Sequence, residues 1–291
     1  MSGQALTPTV THRVLTQGAA RVLGAAGLAV LMGILYRGVL PAWLQDLWID
    51  PNYSHGLLVP FAAAWLGYER RDRLIGLVPQ PAGSAIFIIV SAILLLAFGL
   101  LAAELFVTRV SFLLLLIGLI AFLLGYQYVR ALALPLAFLL FMVPLPSLVF
   151  NAIALPLQLT ASHVAISVLQ GLGVPALREG NVILLPNVSL EVVEACSGLR
   201  SLVSLTAMGV LVAALTLRRP MVRLLLIAAS IPIAVLTNGL RVAGTGILAY
   251  QFGPGVAEGF FHVFSGWVVF VSALALLAVG VGALRRLEGT A

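Results

Sequence analysis

Three residues in the last third of this 291-residue sequence could together move an acyl group: Cys196, Arg241 and His262. Cys196 is the only cysteine and sits in Glu194-Ala-Cys-Ser-Gly-Leu-Arg200, after an extended stretch and at the opening of an apolar run. A thiol at a helix N-terminus has its thiolate favoured by the helix dipole and the free amides. A cysteine nucleophile also needs a group that takes its proton and later protonates a leaving amine, which a histidine such as His262 does near neutral pH. The carbonyl oxygen that becomes an oxyanion needs fixed charge and donors, which arginine supplies. Each residue has a plainer reading. A lone cysteine is commonly a small apolar filler, and a histidine at a helix entrance can be an interfacial cap. Arg241 is hardest to dismiss, because a charge inside an apolar run, here beside Asn238, is costly and faces a cavity or a partner.

The elements that would position these residues are membrane spans. Of all residues 62% are hydrophobic and 9% charged, against roughly 25% charged in soluble domains. Apolar runs of about 20 residues are long enough to cross a hydrocarbon core. Eight spans are expected: Ala19–Leu40, Gly56–Tyr68, Ala82–Ala103, Val110–Tyr126, Ala131–Leu145, Cys196–Leu217, Met221 towards Tyr250, and His262–Leu284. Pro232 would kink the seventh. The polar start with Arg13 and Arg21 resembles a signal peptide, but the run is long and no small-residue cleavage site follows, so it reads as a retained span. Between Val174 and Glu194, alternating segments separated by Pro186-Asn187 read as a short β-hairpin outside the membrane. The whole, 1–291, reads as a single all-α polytopic membrane domain of about eight helices, with that periplasmic hairpin and one in-plane or re-entrant helix.

Charge parity orients the map. One side receives Arg13, Arg21, Arg70, Arg71, Arg73, Arg130, Arg218, Arg219, Arg223, Arg285 and Arg286; the other receives Arg37, Arg109, Arg178, Arg200 and Arg241. The excess places both termini in the cytoplasm. Glu104 and Arg109 then mark an outer turn before the fourth span. The parity holds only if the apolar segment 147–172 does not cross, which makes it the in-plane or re-entrant helix of the outer face. Cys196, Arg241 and His262 fall on that same outer face, on three consecutive spans.

Several function classes are excluded or weakened. The sixteen basic residues are all arginine and lie in short clusters between apolar runs, whereas nucleic-acid binders gather charge in one patch. One cysteine and four histidines leave no intramolecular disulfide and no multi-cysteine zinc site. No cofactor or metal is expected. A membrane transporter or exopolysaccharide assembly or export component remains the alternative, but it would show inverted repeats or paired broken helices. An intramembrane serine protease using Ser54-His55 or Ser265 lacks the expected Gly-x-Ser-Gly arrangement.

The segments Glu194-Ala-Cys-Ser-Gly-Leu-Arg200, Asn238-Gly-Leu-Arg-Val242 and His262 ahead of Gly266-Trp267 resemble the exosortase family of bacterial membrane transpeptidases. So do Asn52-Tyr-Ser-His-Gly-Leu-Leu-Val-Pro60, Phe141-Met-Val-Pro-Leu-Pro146 and Arg178-Glu-Gly-Asn181, so the resemblance spans most of the chain. It implies an inner-membrane cysteine protease or transpeptidase with its active site on the periplasmic side. Its partners would be secreted proteins anchored by a C-terminal Pro-Glu-Pro motif, a membrane helix and an arginine-rich tail, cut near the motif and passed to an envelope acceptor. Such systems accompany exopolysaccharide loci. The resemblance makes Cys196 the nucleophile, Arg241 the oxyanion or thiolate stabiliser and His262 the proton shuttle. Arg200, Asn238, Glu194, His55, Arg178 and Glu179 are candidates for substrate contact.

Overall fold

The structure is a computed structural model that describes residues 24, 26–28, 30–192, 198–253, 255 and 260–289; side chains at 260–263 are not described. The chain divides into two units, Met1–Asp46 and Leu47–Ala291. Helix α1 (Ala26–Leu35) lies in the first, and α2 (Val39–Ile49) runs across the division. Together they form a bent apolar pair, the counterpart of the expected first span. The polar, aromatic stretch after Trp43 is helical as far as Ile49.

The second unit holds α3 (Val59–Tyr68), the short α4 (Arg71–Ile75), α5 (Ile86–Leu101) and α6 (Leu105–Leu123). These are followed by α7 (Tyr126–Ala131), α8 (Ala133–Phe138) and α9 (Ser147–Gly171). The last three are α10 (Leu199–Thr216), α11 (Pro220–Phe252) and α12 (Phe260–Gly289). Among the described residues, six helices are long and apolar enough to cross a membrane, α5, α6, α9, α10, α11 and α12, and the bent pair makes up to seven. Two of the eight expected spans are shorter apolar helices, Val59–Tyr68 and Ala133–Met142. They pack on each other and on α10 through Val59, Ala63, Leu66, Phe138 and Ala207.

Small residues set the close approaches. Gly99 lies so near Thr108, and Gly118 so near Ile89, that an added Cβ would come to 2.8 and 2.9 Å of those side chains. The α5–α6 hairpin is thereby pinned at both ends. Arg109 does not mark the turn. It lies inside α6 and is 3% exposed, beside buried Thr108 and Ser111.

Segment 147–172 forms one unbroken helix through Pro156. Its length alone would suit a crossing, but its neighbours place it at one end of α10 and α11. Its first turns, with Phe150 and Ala154, cluster with Leu199 at the start of α10. Further on, Val164 fills the space at Gly239 and Leu169 the space at Gly246, both in the second half of α11. The opposite end of the bundle, around Leu217, Leu226, Leu277 and Val281, is built from α10, α11 and α12. Helix α9 thus packs on the half of α11 that carries Asn238 and Arg241, and by length and composition it is itself a candidate span.

The segment after α9 is a three-stranded antiparallel meander rather than a two-stranded hairpin: β1 (Leu177–Glu179), β2 (Val182–Leu184) and β3 (Ser189–Glu191), in that order. The additional strand pairs Arg178 with Ile183 across a turn at Gly180-Asn181, where Gly180 takes φ +65°. One face of the sheet, with Ile183, Leu185 and Val192, packs on Ala161, Ala165, Ile166 and Leu169 of α9 and on Val242 and Ala243 of α11. Asn187 donates to the carbonyls of Ala249 (3.3 Å) and Tyr250 (3.0 Å), tying the sheet to the end of α11.

Candidate active site

Helix α11 collects the site. Its middle turn carries Asn238, which is 1% exposed, and Arg241, which is partly buried. Asn238 packs on Gly198, the residue that caps α10 and adopts φ +81°. A side chain at 198 would meet Asn238 Cγ at 2.6 Å, so only glycine fits the conformation and the space together. The described helix opens at Leu199, not at 196. Cys196 therefore precedes its cap by two residues in the chain. Cys196 and Glu194 themselves lie outside the described residues.

Arg241 reaches the next helix. A Cβ built on Gly266 of α12 would come to 3.8 Å of both its Cζ and one terminal nitrogen. The guanidinium thus lies over Gly266, where α12 has no side chain to obstruct it. Position 262 stands four residues, or one helical turn, before Gly266 on the same helix, although the His262 side chain lies outside what is described. Three residues within one turn of α11, Asn238, Gly239 and Arg241, bring α10, α9 and α12 to one level: Gly198 meets Asn238, Val164 meets Gly239, and Gly266 meets Arg241.

Two further motif segments complete the surroundings. The turn 52–58 folds as a 3-10 helix, Ser54–Leu57, whose Gly56 lies against the backbone of Met142, where a Cβ would come to 3.3 Å of the Met142 Cα. His55 Nε2 is 3.2 Å from the carbonyl oxygen of Phe141. Its Nδ1 is buried, and although the Asn52 backbone lies near the ring, Nδ1 has no partner of hydrogen-bonding geometry among the described residues. Burial pushes the ring pKa below its ordinary value; the Phe141 and Asn52 backbones oppose that, and the Arg200 charge adds to it. His55 is therefore a neutral imidazole at pH 7 that links two loops.

Between these loops and the start of α10 lies a small open pocket lined by Asn52, Tyr53, Leu145, Phe150, Leu199, Arg200 and Val203. The Tyr53 and Phe150 rings stand 6.4 Å apart, tilted by 60°, within the range of favourable aromatic pairs. The pocket thus joins residues from the motif segments 52–60, 141–146 and 194–200. A family model described as transmembrane exosortase (Exosortase_EpsH) matches residues 43–279. The chain belongs to the transmembrane exosortase family. A search of the curated proteins and of the solved structures returned no match.

In this exosortase the remaining sequence candidates separate. Arg178 donates to its own turn at the Gly180 carbonyl (2.9 Å). That turn is anchored by Ser162, whose hydroxyl donates to the same carbonyl at 3.0 Å. Arg178 and Glu179 thus sit at the end of the sheet that abuts α9 two residues from Val164. Arg200, by contrast, lines the pocket and feels the charges of both Arg241 and Asp50. Among the described residues, no three His, Cys, Asp or Glu side chains gather as a metal site requires. Sequence reasoning named Arg241, Asn238, His55 and Arg200 but passed over Gly198, Gly239 and Gly266. The glycine in Cys-Ser-Gly, in Asn-Gly-Leu-Arg and in Ser-Gly-Trp was the available signal.

Proposed function

We propose that this exosortase is a membrane cysteine protease and transpeptidase that cuts a C-terminal Pro-Glu-Pro-type sorting signal of secreted proteins at the periplasmic face. Cys196 attacks the carbonyl carbon of the scissile bond as a thiolate. The C–N bond breaks, a thioester forms, and the departing amine takes a proton from His262, which received it from the thiol. An acceptor nucleophile then displaces the cysteine and carries the protein to the envelope. Arg241 stabilises the thiolate or the oxyanion, with charge that needs no proton transfer.

The observation that carries this reading is the guanidinium of Arg241 over Gly266, one turn from position 262, on the same level of α11 as the contact of Asn238 with Gly198, two residues after Cys196 in the chain. Three motif segments separated in sequence share one layer of the bundle. A co-expressed, tail-anchored substrate bearing the signal tests it by the size of the product. Cys196→Ala and Arg241→Ala are expected to abolish processing with membrane insertion intact, and His262→Ala to weaken it severely. Full processing by Cys196→Ala would remove the reading. An impermeant thiol reagent is expected to label Cys196 from the periplasmic side only.

A further inference from the structure

Arg200 has no evident structural occupation. Its side chain is exposed at the pocket and makes no hydrogen bond or ion pair among the described residues. Arg241 repels it, and Asp50 attracts it without closing to an ion pair. Asp50 instead accepts a hydrogen bond from the Asn52 amide at 2.8 Å, within its own turn. The rest of the pocket is apolar and aromatic apart from Asn52: Tyr53, Leu145, Phe150, Leu199 and Val203.

Two positive charges within reach of each other, one of them at an aromatic-walled pocket, attract an anion. The walls add a condition: the anion must be borne by something that also places apolar surface against Tyr53, whose ring is backed by Phe150. A planar guanidinium suits a carboxylate, which it can grip through two parallel bonds. An acidic side chain flanked by compact apolar residues meets both conditions in one short peptide.

We propose that this pocket is a recognition subsite for an acidic side chain of the substrate, paired with Arg200 while its apolar neighbours rest on Tyr53, which is backed by the buried Phe150. The proposal rests on the function proposed above, and there the acidic residue is the glutamate of the sorting motif. Arg200 then reads the substrate and does not act on the scissile bond. Its position four residues after Cys196 in the chain couples recognition to the segment that carries the nucleophile.

The test uses the full chain in membranes with tail-anchored substrates whose motif residue is Glu, Gln or Lys. The wild type is expected to process the Glu substrate at least about tenfold faster than the Gln substrate, as loss of a charge-assisted bond implies. Arg200→Gln is expected to erase that preference, and Arg200→Glu to favour the Lys substrate. Equal processing of Glu and Gln substrates by the wild type overturns the proposal whatever the variants do. So does an Arg200→Gln variant that keeps the preference, or one that slows all three substrates alike, as loss of an anionic-lipid contact would. Processing by Cys196→Ala would instead sink the enzymatic reading, so the two failures are distinguishable.

Discussion

Asn238 occupies the volume that a side chain at position 198 would need, with its Cγ 2.6 Å from where a Cβ would stand. The cap of α10 and the middle of α11 therefore touch through an absent side chain, two residues after the cysteine. Gly198→Ala is expected to destabilise the protein by about 1–3 kcal/mol, combining left-handed strain with the clash. Asn238→Ala in the same chain should relieve the Cγ and Nδ2 part of the clash, with the Cβ still at 2.9 Å, and none of the strain. Thermal unfolding in detergent measures both; an unchanged midpoint in Gly198→Ala would contradict the contact.

The reach of Arg241 over Gly266 sets a second expectation. Gly266→Ala adds an atom at ordinary contact distance, 3.8 Å from the guanidinium, and should leave processing near wild type. Gly266→Leu should displace the guanidinium and lower the processing rate by roughly 10²–10³-fold, the scale of losing one oxyanion donor. Insertion and expression should be unchanged. Equal activity of the Ala and Leu variants would show that the guanidinium does not need this opening.

His55 makes a pH prediction. Its pKa in the folded protein lies below the ordinary 6.5, so the unfolded chain binds the proton more readily. The stability it contributes is fully present above pH 6.5 and is lost as pH falls through the folded value. His55→Gln can keep a donor for the Phe141 carbonyl but has no proton to gain. Unfolding midpoints measured from pH 7.5 down to 5 should fall less steeply in His55→Gln than in wild type. Identical acid slopes would exclude His55 as the sensitive group.

The α9–α11 contact gives a reciprocal pair. A Cβ on Gly239 would meet Val164 at 2.6–2.7 Å, so Gly239→Ala should overpack the interface at a cost of about 1–3 kcal/mol. Val164→Ala added to it removes the Cγ1 contact but leaves the Val164 Cβ position at 2.7 Å, so it should restore only part of that loss. The double-mutant cycle in unfolding midpoints measures the coupling, and strictly additive effects would mean that the two helices do not meet there.

Arg241 and Asn238 were legible in the sequence because polar residues inside an apolar run contradict their surroundings. Gly198, Gly239 and Gly266 were not, because a glycine in a membrane helix says nothing alone about which neighbour fills its space. The contacts of α9 were beyond the reach of the sequence, since a largely apolar helix of 25 residues satisfies both a span and a helix packed at one face. Arg109 was assigned to a turn because charge normally marks helix ends; α6 buries it instead. The third strand was missed because Leu177-Arg178-Glu179 is too short to alternate visibly, although Gly180-Asn181 is a two-residue turn signal.

Helix α11 is 33 residues long, roughly 50 Å at about 1.5 Å per residue, against a hydrocarbon core of about 30 Å. Arg241 lies 21 residues after its first residue, Pro220, a climb of roughly 32 Å. The helix thus works as a measuring rod: it carries the guanidinium about one bilayer core from the Arg218–Arg219 end. A substrate anchored by a helix of ordinary span would bring the residues just beyond its anchor to the same height. Under the proposed function, the thickness they share would set the register between enzyme and substrate; the sheet bound at Ala249 and Tyr250 holds the top of the rod in place.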